Sequence, residues 1–445
     1  MKKLLSLLVI ITGMFFLNSC KKYDAPDFER DRPAVEKKCH NLNAAVALEW
    51  YRLQLRFLLE RNSTMNGVYF GYLGIGLYES VRNGINNATS LSSKLYQMPA
   101  MPAKENNKSY HWPESANAAM ASMLRSYNTG LTTANLASID SLENVFNQKF
   151  SAEAGTAAFT RSQAFGRSIA TAVYNWSLTD NFNPSNAGYV PPVFPGAWVP
   201  TLPALANGVL PYVSAARPFL AESHTRVSPP FTAAYSEDPT SYFYKIVKHV
   251  YDVSQTLTQE QKDIAMFWVD QGNGVGYTPP GHDFNFITQA MEQKQANLAI
   301  VAEAYAKAGI AERDATIVCF RSKYTYNLLR PITYIRKFID PNWLPFIGTP
   351  PHPEYPAAHA FITGSVMAAV TRVLGYNVSV TDHTYDFRGW GPRTYSSLFN
   401  AAKEAGISRL YGGIHYLPSI KVGLIEANSL GDKIGKINLC GSSVD

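Results

Sequence analysis

Residues 41–62, NLNAAVALEWYRLQLRFLLERN, decide the fold class. Val46, Leu48, Trp50, Leu53, Leu55, Phe57 and Leu58 fall within one continuous helical run, the pattern of a helix that buries a face. The same reading predicts helices near 66–83, 113–127, 135–149, 154–178, 240–256, 258–271, 284–308, 311–329, 356–375, 394–405 and 418–434. Thr258 and Gln261 have the spacing of a capping box ahead of Ile264, Met266 and Phe267. Period-2 alternation is nearly absent and no repeat of fixed length is visible, so the expected fold is all-α.

The chain has 445 residues, 46% hydrophobic and 17% charged, enough for a large core and too balanced for a fibre or a disordered chain. Aromatic content is 13%, with 26 Tyr and 7 Trp, which suits a large core and aromatic-lined clefts. The net charge is +6, or +4 (38 basic against 34 acidic residues) without Lys2 and Lys3. That excess is small and scattered, and it argues against nucleic acid as a partner.

Residues 1–19 read as an export signal: Lys2-Lys3, an apolar run from Leu4 to Leu17, then Asn18-Ser19 before Cys20. The run is too short to span a bilayer. Its end resembles the lipobox of bacterial lipoproteins, which implies lipidation at Cys20, membrane contact through that anchor, and a place in the cell envelope, periplasmic or surface-exposed. Residues 20–38 are charged and aperiodic, as a tether would be, and residues 39–445 are expected to form a single helical domain. In a non-reducing envelope, Cys39 and Cys440, near the two ends of that domain, are a candidate disulfide, whereas Cys319 in an apolar run reads as a buried thiol.

One stretch breaks the helical pattern. Asn181 to Pro230 holds ten of the 27 prolines, interleaved with Tyr189, Phe194, Trp198, Tyr212 and Phe219. The aromatics point to an irregular excursion packed on the helical body rather than a solvated linker.

Three segments of the last third carry residues suited to anion chemistry. Lys323 and Arg330, seven residues apart, would share one face of a helix about 10 Å apart along its axis. Pro356 suits the first position of the helix that follows, so the backbone N–H groups after it, near Ala358, lie at a helix N-terminus, where His359 can act as acid or base. Ser408-Arg409 is followed by Gly412-Gly413 and His415; the glycines allow a turn that brings Arg409 and His415 together.

Taken in order, Lys323-x6-Arg330-Pro331, Pro356-x-x-His359 and Ser408-Arg409-x5-His415 resemble the three-part signature of the superfamily of vanadium-dependent haloperoxidases and type 2 phosphatidic acid phosphatases. Gln261–Trp268, Thr278–His282, the Pro/Trp-rich excursion and Tyr69–Ile85 look like its soluble haloperoxidase branch, so the resemblance covers most of the chain, well after residue 240 and loosely before it. It implies a helical bundle of that superfamily's type. It also implies vanadate held by Lys323, Arg330, Arg409 and the backbone at Ala358, with His415 as the one protein ligand to vanadium. His359 would serve as acid–base catalyst and Lys323 would polarise bound hydrogen peroxide for attack by halide. In the phosphatase branch His415 would attack a soluble phosphoester and form a phosphohistidine, with His359 protonating the leaving group and no vanadate required.

Two positions depart from the signature. Its middle motif usually reads Pro-Ser-Gly-His, and here Ala357 and Ala358 replace Ser and Gly, removing a hydroxyl donor. Its last motif usually has Asp four residues after the histidine, a position held here by Ser419, which removes the carboxylate expected to orient His415. A substitute is sought among His383, Asp386, Arg388 and Arg393, while Glu354 and Tyr355 read as structural loop residues near the entrance and His282 as a turn cap or a pocket neighbour. The departures keep a third reading open, a non-catalytic envelope lipoprotein that binds an anion. After Leu17 no uncharged apolar run reaches 18 residues, which sets the membrane-spanning lipid phosphatases aside.

Overall fold

The structure is a computed structural model that describes residues 36–61, 63–201, 208–271 and 276–439. Residues 1–35, including the signal and Cys20, and Cys440 lie outside the described residues. The α-helices are α1 (Ala45–Leu59), α2 (Phe70–Val81), α3 (Trp112–Tyr127), α4 (Thr133–Ala154), α5 (Thr156–Ser177), α6 (Tyr242–Gln255), α7 (Gln259–Phe267), α8 (Pro279–Gln293), α9 (Leu298–Tyr326), α10 (Pro331–Phe338), α11 (Ala358–Leu374), α12 (Leu398–Tyr411) and α13 (Leu417–Gly435). Beside them stands one short antiparallel ribbon, β1 (Val380–Asp382) with β2 (Arg393–Tyr395), in which Thr381 pairs with Thr394. The fold is all-α, as the periodicity predicts, and among the described residues no helix is long and apolar enough to cross a membrane.

Local chemistry sets most helix starts. Thr258 accepts from Gln261 N while Gln261 Oε1 accepts from Thr258 N, the reciprocal pair expected of a capping box. Thr132, Ser241, Asn297 and Ser397 each accept from the backbone three residues on. The sequence places a helix break near Gly309 and misses the real one at Lys294–Asn297, where Gln295 takes φ +52°. Gly309 does not end a helix because it is a contact point. A Cβ there would meet Phe70 O at 2.5 Å, and one at Gly74 would meet Tyr305 O at 2.3 Å. The glycines let α2 and α9 cross backbone to backbone, leaving α9 unbroken for 29 residues.

That long helix joins two groups of neighbours. On one side α9 packs on α2, which contacts α3 and α5; on the other it packs on α11, which contacts α12 and α13. A separate apolar cluster of Phe243, Val247, Leu329, Tyr334, Tyr355 and Tyr416 lies under the loops that carry the signature residues. The functional residues thus sit on rigid elements.

The proline-rich excursion is packed in its later part, where Phe219 is buried, and through Trp198, whereas most of residues 181–196, Phe194 included, are exposed. Asp314 accepts from Phe219 N and Leu220 N, Arg321 donates to the carbonyls of Ser214, Ser223 and Arg226, and Arg313 reaches Arg217 O and Asp180. Loop carbonyls thus find donors along α9, which satisfies backbone that no helix or sheet would pair.

Near the start of the described residues, Glu36 accepts from Trp112 Nε1 at 3.0 Å, so contact with the helical body includes a residue before Cys39. Cys440, the expected partner of Cys39, lies outside the described residues; Cys39 itself is a buried free thiol whose Sγ donates to Val81 O at 3.6 Å. Cys319 is buried and free as expected, and burial pushes its thiol up to about 11.

Candidate active site

The three signature segments converge at one end of α9. Lys323 lies in its last turn, after which Asn327 adopts a left-handed conformation (φ 44°) and ends the helix. Arg330 is the N-cap of α10, with Pro331 in its first turn. The two cations are therefore not presented by one continuous helical face. The turn at Asn327 brings Arg330 round to the site, a reversal that helical arithmetic across an Asn does not show.

Arg330 is fully buried and used on every side. Nε donates to His352 O (2.9 Å), Nη1 to Ile414 O (2.8 Å) and His415 Nε2 (3.0 Å), and Nη2 to His352 Nδ1 (3.0 Å). Burial lowers its affinity for the proton to about 10, leaving it charged at neutral pH. Arg409 differs. Its Nη1 donates to Trp268 O, while its Nε is buried with no protein acceptor. An unpartnered guanidinium N–H near Arg330, His359 and His415 is the kind of donor that an oxyanion would satisfy.

Lys323 Nζ donates to Pro353 O (3.0 Å), Glu354 O (3.0 Å) and Pro356 O (2.6 Å). Its three protons brace the loop before α11, a use that the sequence does not reveal. Burial pulls its ammonium down to about 7, the more so beside Arg330, against the pull of nearby Glu354.

His415 shows how the chain manages without the usual carboxylate. Its Nδ1 donates to Glu354 Oε1 at 2.8 Å, and the same oxygen accepts from Tyr416 N at 2.9 Å. Glu354 is completely buried and precedes the middle motif, so it reaches the histidine from the other side of the site. Ser419, in the place of the usual Asp, faces the same carboxyl, and its Oγ and Glu354 Oε2 are both buried without a close partner. The carboxylate is relocated, not lost. The sequence points elsewhere, and incorrectly: His383 pairs with Asp386 at the surface, Arg388 lies over Trp390, and Arg393 pairs with Glu404 and Glu260. Burial, reinforced by Arg330, Lys323 and Arg409, holds His415 well below the usual histidine range. It is a neutral imidazole with its proton on Nδ1, and Nε2 carries the lone pair.

α11 begins at Ala358 with Ala357 as its N-cap, so Pro356 precedes the cap and does not occupy the first helical position. Ala357 makes no side-chain cap, which leaves the N-terminal N–H groups of a 17-residue helix directed at the site. His359, in that first turn, has Nε2 2.9 Å from Asp270 Oδ2. Burial and Arg409 lower it to about 4, so it too is neutral. Asp270 Oδ1 also lies 2.8 Å from His282 Nδ1, a contact between two turn-rich segments that no sequence spacing announces. Among the described residues no group of three or more His, Cys, Asp and Glu side chains forms a metal-cation cage. The donor set suits an oxyanion: two guanidinium groups, helix N–H groups and one imidazole lone pair.

The likeness of the whole chain to solved structures bears on this geometry. A bacterial vanadium-dependent iodoperoxidase is 28% identical, superposes with a TM-score of 0.80, and the alignment covers 92% of this chain and all of that one. The family model described as the VCPO second helical-bundle domain matches residues 337–439, which contain Ala358, His359, Arg409 and His415. The chain is thus similar to a vanadium haloperoxidase over most of its length, and its last part matches a helical-bundle domain model of that family. Holo and apo forms of a bacterial vanadium-dependent chloroperoxidase share its fold at 14% and 15% identity, with TM-scores of 0.63 and 0.62, each over 84% of this chain and 92% and 93% of theirs. No curated protein matches the sequence.

Proposed function

We propose that the protein is a vanadium-dependent haloperoxidase that oxidises halide with hydrogen peroxide. The observation that carries this reading is His415, a neutral imidazole fixed by Glu354 with Nε2 beside Arg330, in a chain 92% of which aligns with an iodoperoxidase. The residues fit vanadate: His415 Nε2 would bind vanadium, and Arg330, Arg409 and the Ala358 N–H would neutralise its oxygens. When bound, vanadate supplies Lewis-acid activation of the peroxide that halide then attacks. His359 accepts a proton from the incoming peroxide at its free Nδ1 while Asp270 holds Nε2. Lys323 adds positive charge and fixes the loop that carries Glu354.

The Glu354–His415 pair also favours a second reading, because a carboxylate-held neutral imidazole is a nucleophile for a phosphoester. The test is the purified protein assayed with and without added vanadate. Vanadate-dependent oxidation of iodide or bromide by peroxide supports the first reading, and hydrolysis of p-nitrophenyl phosphate that vanadate inhibits supports the second. Neither activity, with vanadate still bound, supports an anion-binding lipoprotein.

The missing hydroxyl at Ala357 sets a further expectation. Ala357→Ser restores a donor at the N-cap, and a hydrogen bond to a charged group contributes about 1.5–3 kcal/mol. Vanadate affinity measured by calorimetry should therefore rise about ten- to hundredfold. The lipid anchor remains part of the proposal, and Cys20→Ser should abolish incorporation of labelled palmitate and release the protein from membranes.

A further inference from the structure

We propose that His282 and Asp382, which lie outside the three motifs, extend the His359–Asp270 pair into a buried charge relay, and that His282 is a positioning residue that governs the protonation state of His359. The proposal rests on the reading of His359 as the acid–base group, but its measurement does not.

Four side chains form a continuous line. His359 Nε2 is 2.9 Å from Asp270 Oδ2, Asp270 Oδ1 is 2.8 Å from His282 Nδ1, and His282 Nε2 is 3.0 Å from Asp382 Oδ2. They come from α11, the loop after α7, α8 and β1, so no sequence spacing announces them. His282 is completely buried, stacked on Trp268 at 4.3 Å between ring centroids, with Phe267 and Tyr385 edge-on.

The partners of His282 are those of an imidazolium. Asp382 Oδ1 already accepts from Gln289 Nε2, Thr384 N and Thr384 Oγ1, and Asp270 Oδ1 accepts from Tyr385 OH at 2.8 Å. Each ring nitrogen of His282 faces a carboxyl oxygen, and only a doubly protonated imidazole donates to both. Its affinity for the second proton agrees: burial alone would lower it, but Asp270 and then Asp382 raise it to about 10. Asp270, although buried, is held well below the usual carboxylate range, chiefly by His282.

The consequence falls on His359. A free Asp270 would attract a proton to the imidazole beside it, but its charge is already shared with the His282 cation. The charged and titratable groups facing His359 are Asp270, His282, Arg409 from α12 and His352 from the loop before α11. Three of these four are cations or bases, and Asp270 alone favours protonation. Removing the cation at 282 should release the Asp270 charge toward His359 and raise the pH at which His359 takes its proton.

The experiment is ring-nitrogen NMR of the vanadate-free protein labelled with 15N-histidine, from about pH 4 to about pH 9. His282→Gln and His359→Gln assign the two signals. The expected result is a His282 doubly protonated throughout and a His359 neutral down to about pH 5. In His282→Gln, and in Asp382→Asn, which withdraws the cation's second partner, the His359 midpoint should rise by about one unit or more. If His282→Gln does not fold, Asp382→Asn and Tyr385→Phe carry the test, with circular dichroism as the check. A native His282 that titrates near the ordinary histidine value overturns the proposal. So does a His359 midpoint that stays put in the folded variants, since that is what a purely structural His282 would give. Failure to oxidise halide would leave these signals unchanged and count only against the proposed reaction.

Discussion

Glu354→Ala should lower vanadate affinity and turnover by roughly 10- to 100-fold, the usual cost of removing the carboxylate that orients a ligating histidine. Without it, His415 Nδ1 loses its acceptor at 2.8 Å and Tyr416 N loses the same oxygen. The imidazole is then free to reverse its tautomer and place a proton where a lone pair is needed. Glu354→Gln keeps an acceptor and should cost less, about tenfold, because only the charge is lost. The companion variant is Ser419→Asp. Alone it sets a second buried carboxyl against Glu354, whose own carboxyl burial already pushes up to about 7, and should destabilise the protein. Combined with Glu354→Gln it moves the carboxylate to its usual place in the superfamily, and activity should return toward the wild-type level. Measuring vanadate Kd and kcat across the four proteins checks the account. A double variant no better than Glu354→Gln would mean that Glu354 does not take over the missing Asp.

The two arginines should fail in different ways. Arg330→Ala leaves two carbonyls and two imidazole nitrogens buried without their donor, so it should cost more than about 3 kcal/mol of stability along with activity. Arg409 carries an unpartnered buried N–H and only one hydrogen bond, to Trp268 O. Its removal takes away a charge that the empty protein is burdened with, so Arg409→Ala should change stability by about 1 kcal/mol or less. Activity and vanadate affinity should still fall by about a hundredfold or more, the cost of removing one preorganised donor to an anion. Thermal melts beside vanadate titrations separate the two cases. An Arg409→Ala protein that melts far below wild type while binding vanadate normally would reverse the assignment.

Much of this was legible in the sequence, for identifiable reasons. The helices were visible because their caps and apolar spacing act locally, as Thr258 and Gln261 do. The candidate site residues are visible because Lys323, Arg330, His359, Arg409 and His415 stand at fixed intervals in three short segments. What escaped depended on distance. Gly309 has the local character of a helix breaker and stays helical because α2 crosses it. Asn327 ends α9 early and so gives Arg330 a direction that a continuous helix would deny it. Glu354 looked like a loop residue because its partner His415 is 61 positions away, and His282 meets Asp382 across 100. Ser419 shows in the sequence that the usual carboxylate is missing from its place, but the carboxylate that stands in for it, Glu354, comes near only where the chain folds back on itself.

The central claim is that these elements form one oxyanion pocket centred on His415 despite Ala357 and Ser419. Its most direct test is 51V NMR of the purified protein titrated with vanadate, beside His415→Ala. The account predicts one bound vanadate per chain in the native protein, displaced by excess phosphate, and loss of that bound signal in a folded His415→Ala. A native protein that leaves vanadate free in solution, or a His415→Ala protein that binds it equally well, would contradict the account.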